Sequence, residues 1–127
     1  MKFDLDCVRD ILLTIESMEY GKEIKIVDLV KALPKYSEED LNYNCLKLLE
    51  AGFINCLTTQ YLDPPGIILV CIKDITYKGH EFLGSIRDNT VWKKTKSIAG
   101  RFGQITLHMI GSIAKEIILA TIGESIQ

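Results

Sequence analysis

Residues 37–54, S-E-E-D-L-N-Y-N-C-L-K-L-L-E-A-G-F-I, admit few conformations. Ser37 suits an N-cap, and the three carboxylates after it favour the positive end of a helix dipole. Asp40, at the third helical position, makes a shortened capping box. Leu41, Cys45, Leu48 and Leu49 recur at i, i+4, i+7 and i+8, which is one helical face. Gly52 supplies a left-handed stop, and Phe53-Ile54 begins an apolar strand. A short capped helix therefore runs straight into a strand, and the remaining elements must pack around that corner.

The flanking chain supplies those elements. Asp4 or Asp6 caps a first helix carrying Val8, Ile11, Leu12 and Ile15 at helical spacing, closed by Gly21. Residues 22–25 are long enough for a stub strand only. Residues 26–33 read as a second helix with Ile26, Leu29, Val30 and Leu33 inward. Pro34 ends it, since proline lacks the N–H and clashes with the preceding turn. Residues 53–62 are rich in strand formers, Asp63-Pro64-Pro65-Gly66 is a turn signal, and residues 67–72 form a continuous apolar run, which makes a hairpin. Thr76 caps a fourth helix with Phe82, Leu83 and Ile86 as its apolar residues, and Asp88-Asn89-Thr90 breaks and recaps the chain. Residues 91–101 carry Trp92 and a set of cations, ending at Gly100 and Gly103. Thr106 caps a last helix with Leu107, Ile110, Ala114, Ile117, Ile118 and Thr121 or Ile122 along one face.

A chain of 127 residues, 47% hydrophobic and 25% charged, can close a core. We expect a first domain over 1–89 and a C-terminal helical extension over 90–127. The net charge is −2, but it is uneven. Residues 1–63 hold seven Lys or Arg against twelve Asp or Glu, and residues 64–127 hold eight against five. An acidic average argues against electrostatically driven nucleic-acid binding, while a local patch can escape it.

Cys7, Cys45, Cys56 and Cys71 are too scattered for metal-ligand spacing, and each has an apolar neighbour. They are expected as buried, reduced thiols of a cytoplasmic protein. No signal peptide is expected, because Asp4 and Asp6 follow Met1-Lys2 at once. The longest apolar run is too short to span a bilayer.

The corner at residues 37–54 resembles the third helix and first wing strand of winged-helix domains. In those domains this helix lies against DNA. Larger blocks resemble the bacterial and phage family catalogued as domain of unknown function 2513. They are M-K-x-D-x-D-x-V-R-D-I-L-L-x-I-E over 1–16, Tyr36-Ser37-Glu38-Glu39, Asn42-Tyr43, Glu50-Ala51-Gly52, D-I-T-x-x-G-H-E-F-L over 74–83, and I-R-D-x-x-V-W-x-K over 86–94. The C-terminal helix matches only in its amphipathic character. The resemblance implies a winged-helix-like domain, often prophage-borne, and assigns neither an activity nor site residues.

Candidate chemistry is sparse. His80-Glu81 completes no H-E-x-x-H, because position 84 is Gly. Asp4, Asp6 and Asp10 lack the spacing of a calcium loop, and capping accounts for part of that cluster. Cys45, on the inward face of its helix, has no evident activating cation. No glycine-rich phosphate loop is present, so no cofactor, metal or catalytic residue is expected.

On the third helix Asn42, Tyr43 and Lys47 are the candidate nucleic-acid contacts, since Asn can read adenine and Lys guanine or phosphate. Glu39 and Glu50 beside them repel phosphate. Lys93, Lys94, Lys96 and Arg101 form the concentrated basic stretch, with Trp92 expected to pack inward. Leu107, Ile110, Ala114, Ile117 and Ile118 are the candidate homodimer stripe. The expected fold is α+β and mostly α: a winged helix-turn-helix with a small antiparallel hairpin wing and added C-terminal helices. The expected function is DNA binding as a phage- or prophage-associated transcriptional regulator. The alternative is a winged-helix protein–protein interaction module that does not touch DNA.

Overall fold

The computed structural model describes residues 3–63, 65–103 and 105–126. The chain is α+β and mostly helical, with one two-stranded antiparallel sheet. In order it forms α1 (Leu5–Glu16), α2 (Ile26–Ala32), α3 (Glu38–Glu50), β1 (Ile54–Leu62), β2 (Pro65–Ile75), α4 (Tyr77–Ile86), α5 (Asn89–Ala99) and α6 (Leu107–Ile126). Contacts gather residues Met1–His80 into one compact unit and Glu81–Gln127 into a second, so the division falls inside α4, earlier than residue 89.

The expected caps form. The Asp4 carboxylate accepts from the Cys7 N–H at 3.1 Å and Ser37 Oγ from the Asp40 N–H at 3.1 Å. Thr76 Oγ1 accepts from the Gly79 N–H at 3.0 Å, Asp88 from the Val91 N–H at 2.9 Å, and Thr106 Oγ1 from the Met109 N–H at 3.2 Å. Each satisfies an amide that the first helical turn leaves without a partner.

In the first unit α1, α2 and α3 pack together, and α1, α2 and α3 also meet the hairpin. Val8, Ile11, Leu12, Leu29, Leu41, Cys45, Leu48, Ile54 and Ile72 are buried there. The stub expected at 22–25 is a single bridge: Ile24 and Ile72 exchange N–H···O bonds of 3.0 and 2.7 Å. Of the four apolar residues expected inward on α2, only Leu29 is buried; Ile26, Val30 and Leu33 are half-buried.

The hairpin departs from expectation at its far end. Leu69, Cys71 and Ile72 are buried, whereas Ile67 and Val70 are exposed. The ladder runs from Ile54↔Ile75 out to Leu62↔Pro65. Nine strand residues span about 30 Å, which outruns the helices at its base. Pro64 of the expected tip turn lies outside the described residues.

α3 hands over to β1 through a small lock. Gly52 sits at φ +80°, in the left-handed region open to glycine. Thr76 Oγ1 donates to the Gly52 carbonyl at 2.6 Å, and the Thr76 N–H donates to the Phe53 carbonyl at 3.0 Å. Gly79 lies so close that a Cβ there would overlap the Phe53 carbonyl oxygen.

In the second unit α5 packs on α6. Trp92 is buried, as expected, along with Val91, Thr95 and Ala99. On α6, Leu107, Ile110, Gly111 and Ala114 are buried, and the Phe82 ring lies over Gly111. Nothing after Ala114 on α6 is buried.

Candidate functional site

The face of α3 turned away from the core is the candidate site. Leu41, Asn44, Cys45 and Leu48 turn inward. That leaves Glu38, Glu39, Asp40 and Glu50 exposed, with Asn42, Tyr43 and Lys47 half-buried among them. The Lys47 ammonium donates to both Glu50 carboxylate oxygens, at 3.1 and 3.2 Å, and stands 5.3 Å from the centre of the Tyr43 ring. An ion pair this exposed adds little stability. It does neutralise the cation that a phosphate would need, and the surface around it is left acidic.

Of the candidate contacts, Asn42, Tyr43 and Lys47 share α3. Lys93, Lys94 and Lys96 share α5, with Arg101 just beyond it in the second unit. Lys93, Lys94 and Arg101 are exposed; Lys96 is half-buried, its ammonium 5.7 Å from the Trp92 ring. The candidate dimer stripe divides in two. Leu107, Ile110 and Ala114 are buried within their own chain and cannot meet a second copy in this conformation, while Ile117 and Ile118 stay half-exposed. The early turns of α6 have α5 as a neighbour.

Two polar groupings were missed by sequence reasoning. Asn44 is buried: its Oδ1 accepts from the Asp4 N–H at 3.1 Å and its Nδ2 donates to the Asp40 carbonyl at 2.9 Å. The signal was available, since position 44 falls between Leu41 and Leu48 on the inward stripe. Asp10 accepts from the Tyr36 hydroxyl at 2.7 Å and pairs with Lys35 at 3.2 Å, which ties α1 to the turn before α3. Burial and that carboxylate hold the Tyr36 phenol well above its ordinary range. No spacing rule links positions 10 and 36.

The thiols are not activated. Burial, then Asp4, Asp10 and Asp40, push Cys7 up to about 12; burial, then Cys71, pushes Cys56 up to about 11. Burial raises Cys45, and burial with the Glu23 carboxylate raises Cys71, whose Sγ lies 3.5 Å from Glu23. A nucleophilic thiol needs the opposite environment. His80 is exposed beside an open cleft of about 440 Å³ shared with Glu16, Glu19, Lys22, Lys73 and Asp74. Among the described residues no three His, Cys, Asp or Glu converge as metal ligands, and no helix is long and apolar enough to cross a membrane.

A family model described as "Hypothetical protein (DUF2513)" matches residues 2–104. The chain belongs to the DUF2513 family. An uncharacterised protein of Haemophilus influenzae (strain ATCC 51907 / DSM 11121 / KW20 / Rd) is 29% identical over 119 residues, which cover 93% of this chain and 96% of that one. No solved structure matches the chain. The family region spans α1 to α5 and stops short of α6.

Proposed function

We propose that this chain is a winged-helix module whose third helix docks a protein with a basic surface rather than duplex DNA. The element order supports the winged-helix reading: α1, a stub paired to the hairpin, α2, α3, then the hairpin as the wing. One observation carries the choice of partner. The outward face of α3 is acidic, and its single cation, Lys47, is bound to Glu50. The wing agrees with it, since no Lys or Arg occurs between Lys47 and Lys73. Duplex DNA is held chiefly by cations set against phosphate; here the helix's Lys47 is paired with Glu50, and the outer part of the wing carries none, Lys73 lying at its base. The reading assigns no catalytic role to any residue and includes a two-fold homodimer.

The test is fluorescence anisotropy of a labelled random 20-bp duplex, titrated with protein at several salt concentrations. The docking reading expects no binding below about 100 µM even at low salt, weaker than ordinary non-specific affinity. It also expects Glu38→Lys with Glu39→Lys to create salt-dependent binding where there was none. Tight binding by the unmodified chain would overturn it.

A second reading, a DNA-binding transcriptional regulator of phage or prophage type, is favoured by the exposed Lys93, Lys94 and Arg101. On that reading binding is steeply salt-dependent and is lost when Lys93, Lys94 and Lys96 become Gln. If it falls instead with Asn42→Ala and Lys47→Ala, α3 is the reader.

A further inference from the structure

The two edges of the hairpin are built differently. The outer edge of β2 is closed at its base by the Ile24 bridge. The ladder also skips Val70 and Lys73, so the extra residue of each bulge lies on β2. Bulges, charges and short pairings are the usual devices that keep a sheet edge from recruiting another strand. β1 has none of them. Among the described residues it pairs with β2 alone, and it carries no charge, no proline and no extra residue over Ile54–Leu62. From position 57 to 62 every residue is exposed.

We propose that two copies of this chain pair antiparallel along β1, about a two-fold axis at Thr59, making one four-stranded sheet in the order β2-β1-β1-β2. Three features make a second copy the occupant. The first is the open edge itself. On β1, Leu62 is 93% exposed, Tyr61 56% and Leu57 48%, and Thr58, Thr59 and Gln60 between them are exposed as well. A row of edge N–H and C=O groups set among such side chains is a template for another strand, and an identical edge supplies one.

The second feature is charge. Between Glu50 and Lys73 the one charged residue is Asp63, at the tip. A two-fold axis at Thr59 sends the two tips in opposite directions, about 25 Å apart, beyond the screening length at ordinary salt. The third is side-chain pairing. This register sets Leu57 opposite Tyr61 of the second copy, twice, and Thr58 opposite Gln60, twice, and aromatic–aliphatic cross-strand pairs of this kind stabilise sheets. The pairing goes beyond the docking role of α3 and is independent of it, since no residue of α3 takes part.

Sedimentation velocity of the full chain from about 1 to 300 µM tests it, with circular dichroism to show that each variant keeps its helices. The unmodified chain is expected to dimerise in this range. Leu57→Lys with Tyr61→Lys sets like charges opposite each other at both pairs and should weaken the dimer about a hundredfold or more. Leu57→Lys with Tyr61→Glu sets opposite charges there and should keep it within about tenfold. Leu119→Glu with Ile122→Glu, on the exposed turns of α6, should leave it unchanged. A chain that stays monomeric throughout, a dimer that survives the Lys/Lys change, equal loss in both hairpin variants, or loss through the α6 changes each overturns the proposal. None of these outcomes bears on whether α3 binds DNA.

Discussion

Gly79→Ala should destabilise this chain, while the same substitution five residues later on the same helix, Gly84→Ala, should stabilise it. At Gly79 a new Cβ would overlap the Phe53 carbonyl oxygen and come within 3.0 Å of Ile75 Cγ2; at Gly84 nothing lies within 4 Å. The Phe53 oxygen is backbone and already accepts from the Thr76 N–H, so it cannot swing aside as a flexible side chain would. Over-packing against such a group costs about 3 kcal/mol, the upper end of its usual range. Moving α4 away stretches at least one of the Thr76 bonds, for about 1 kcal/mol more. Replacing a helical glycine returns about 1 kcal/mol. The net loss at Gly79 is about 3 kcal/mol, or about 10 °C in Tm for a chain of this size. Gly84→Ala keeps only the favourable part, a gain of about 0.5–1 kcal/mol. Urea denaturation followed by circular dichroism measures both. A Gly79→Ala midpoint within error of the unmodified chain, or two variants shifting in the same direction, would refute the steric reasoning.

Leu48→Ala empties a fully buried position and should cost about 2–5 kcal/mol in the same assay. Asn44→Ala removes both an acceptor and a donor from a buried site; about 1–3 kcal/mol should be lost, and amide exchange at Asp4 should quicken. All four thiols should react slowly with a thiol reagent in the native chain, the half-buried Cys56 first, and completely once the chain is unfolded. The thiol pKa values rise on folding, so the folded state binds protons more tightly than the unfolded one. Their contribution is therefore full below pH 9 and is lost as pH climbs from the unfolded value of 9.0 toward about 11 for Cys56 and about 12 for Cys7. A denaturation midpoint that holds steady from pH 9 to 11 would contradict that sign.

The parts of the fold that could be read from the sequence are those set by neighbours in the chain. Ser37, Thr76, Asp88 and Thr106 cap helices because a cap needs only the amide two or three residues on. The inward residues of α1 and α3 follow from a period of 3.6. Long-range geometry was out of reach. Ile67 and Val70 belong to an apolar run that looks buried; the length of the ladder carries Ile67 clear of the core, and Val70, between the buried Leu69 and Cys71, is turned out at a bulge. Ile110 and Ala114 read as part of a stripe that either the chain itself or a second copy must cover, because the packing of α5 on α6 cannot be inferred from either helix alone. At the candidate site the residue types on α3 were legible. The pairing of Lys47 with Glu50, three positions on, could have been anticipated from helical spacing.

The blocks by which this chain resembles its family now separate by physical role. Asp4 caps α1, and Asp10 with Tyr36 ties α1 to the turn before α3. Gly52, Thr76 and Gly79 lock the corner between α3, β1 and α4, and Trp92 fills the second unit. Each of these has a sufficient structural reason to be where it is. Glu38, Glu39, Asn42 and Tyr43 differ, because they lie on the outer side of α3, the two glutamates exposed and Asn42 and Tyr43 half-buried without a place in the core. Helix-dipole compensation accounts for the two glutamates at about 0.3–1 kcal/mol each, which any acidic residue in that turn would supply. It does not account for an amide and a phenol one turn further along. A docked partner would, since Tyr and Asn give contact area and adaptable hydrogen bonds at low entropic cost. If that is their role, Tyr43→Ala should cost the half-buried position no more than about 1 kcal/mol, the ordinary effect of a point substitution. A large loss of stability on Tyr43→Ala would instead return this block to the structural set.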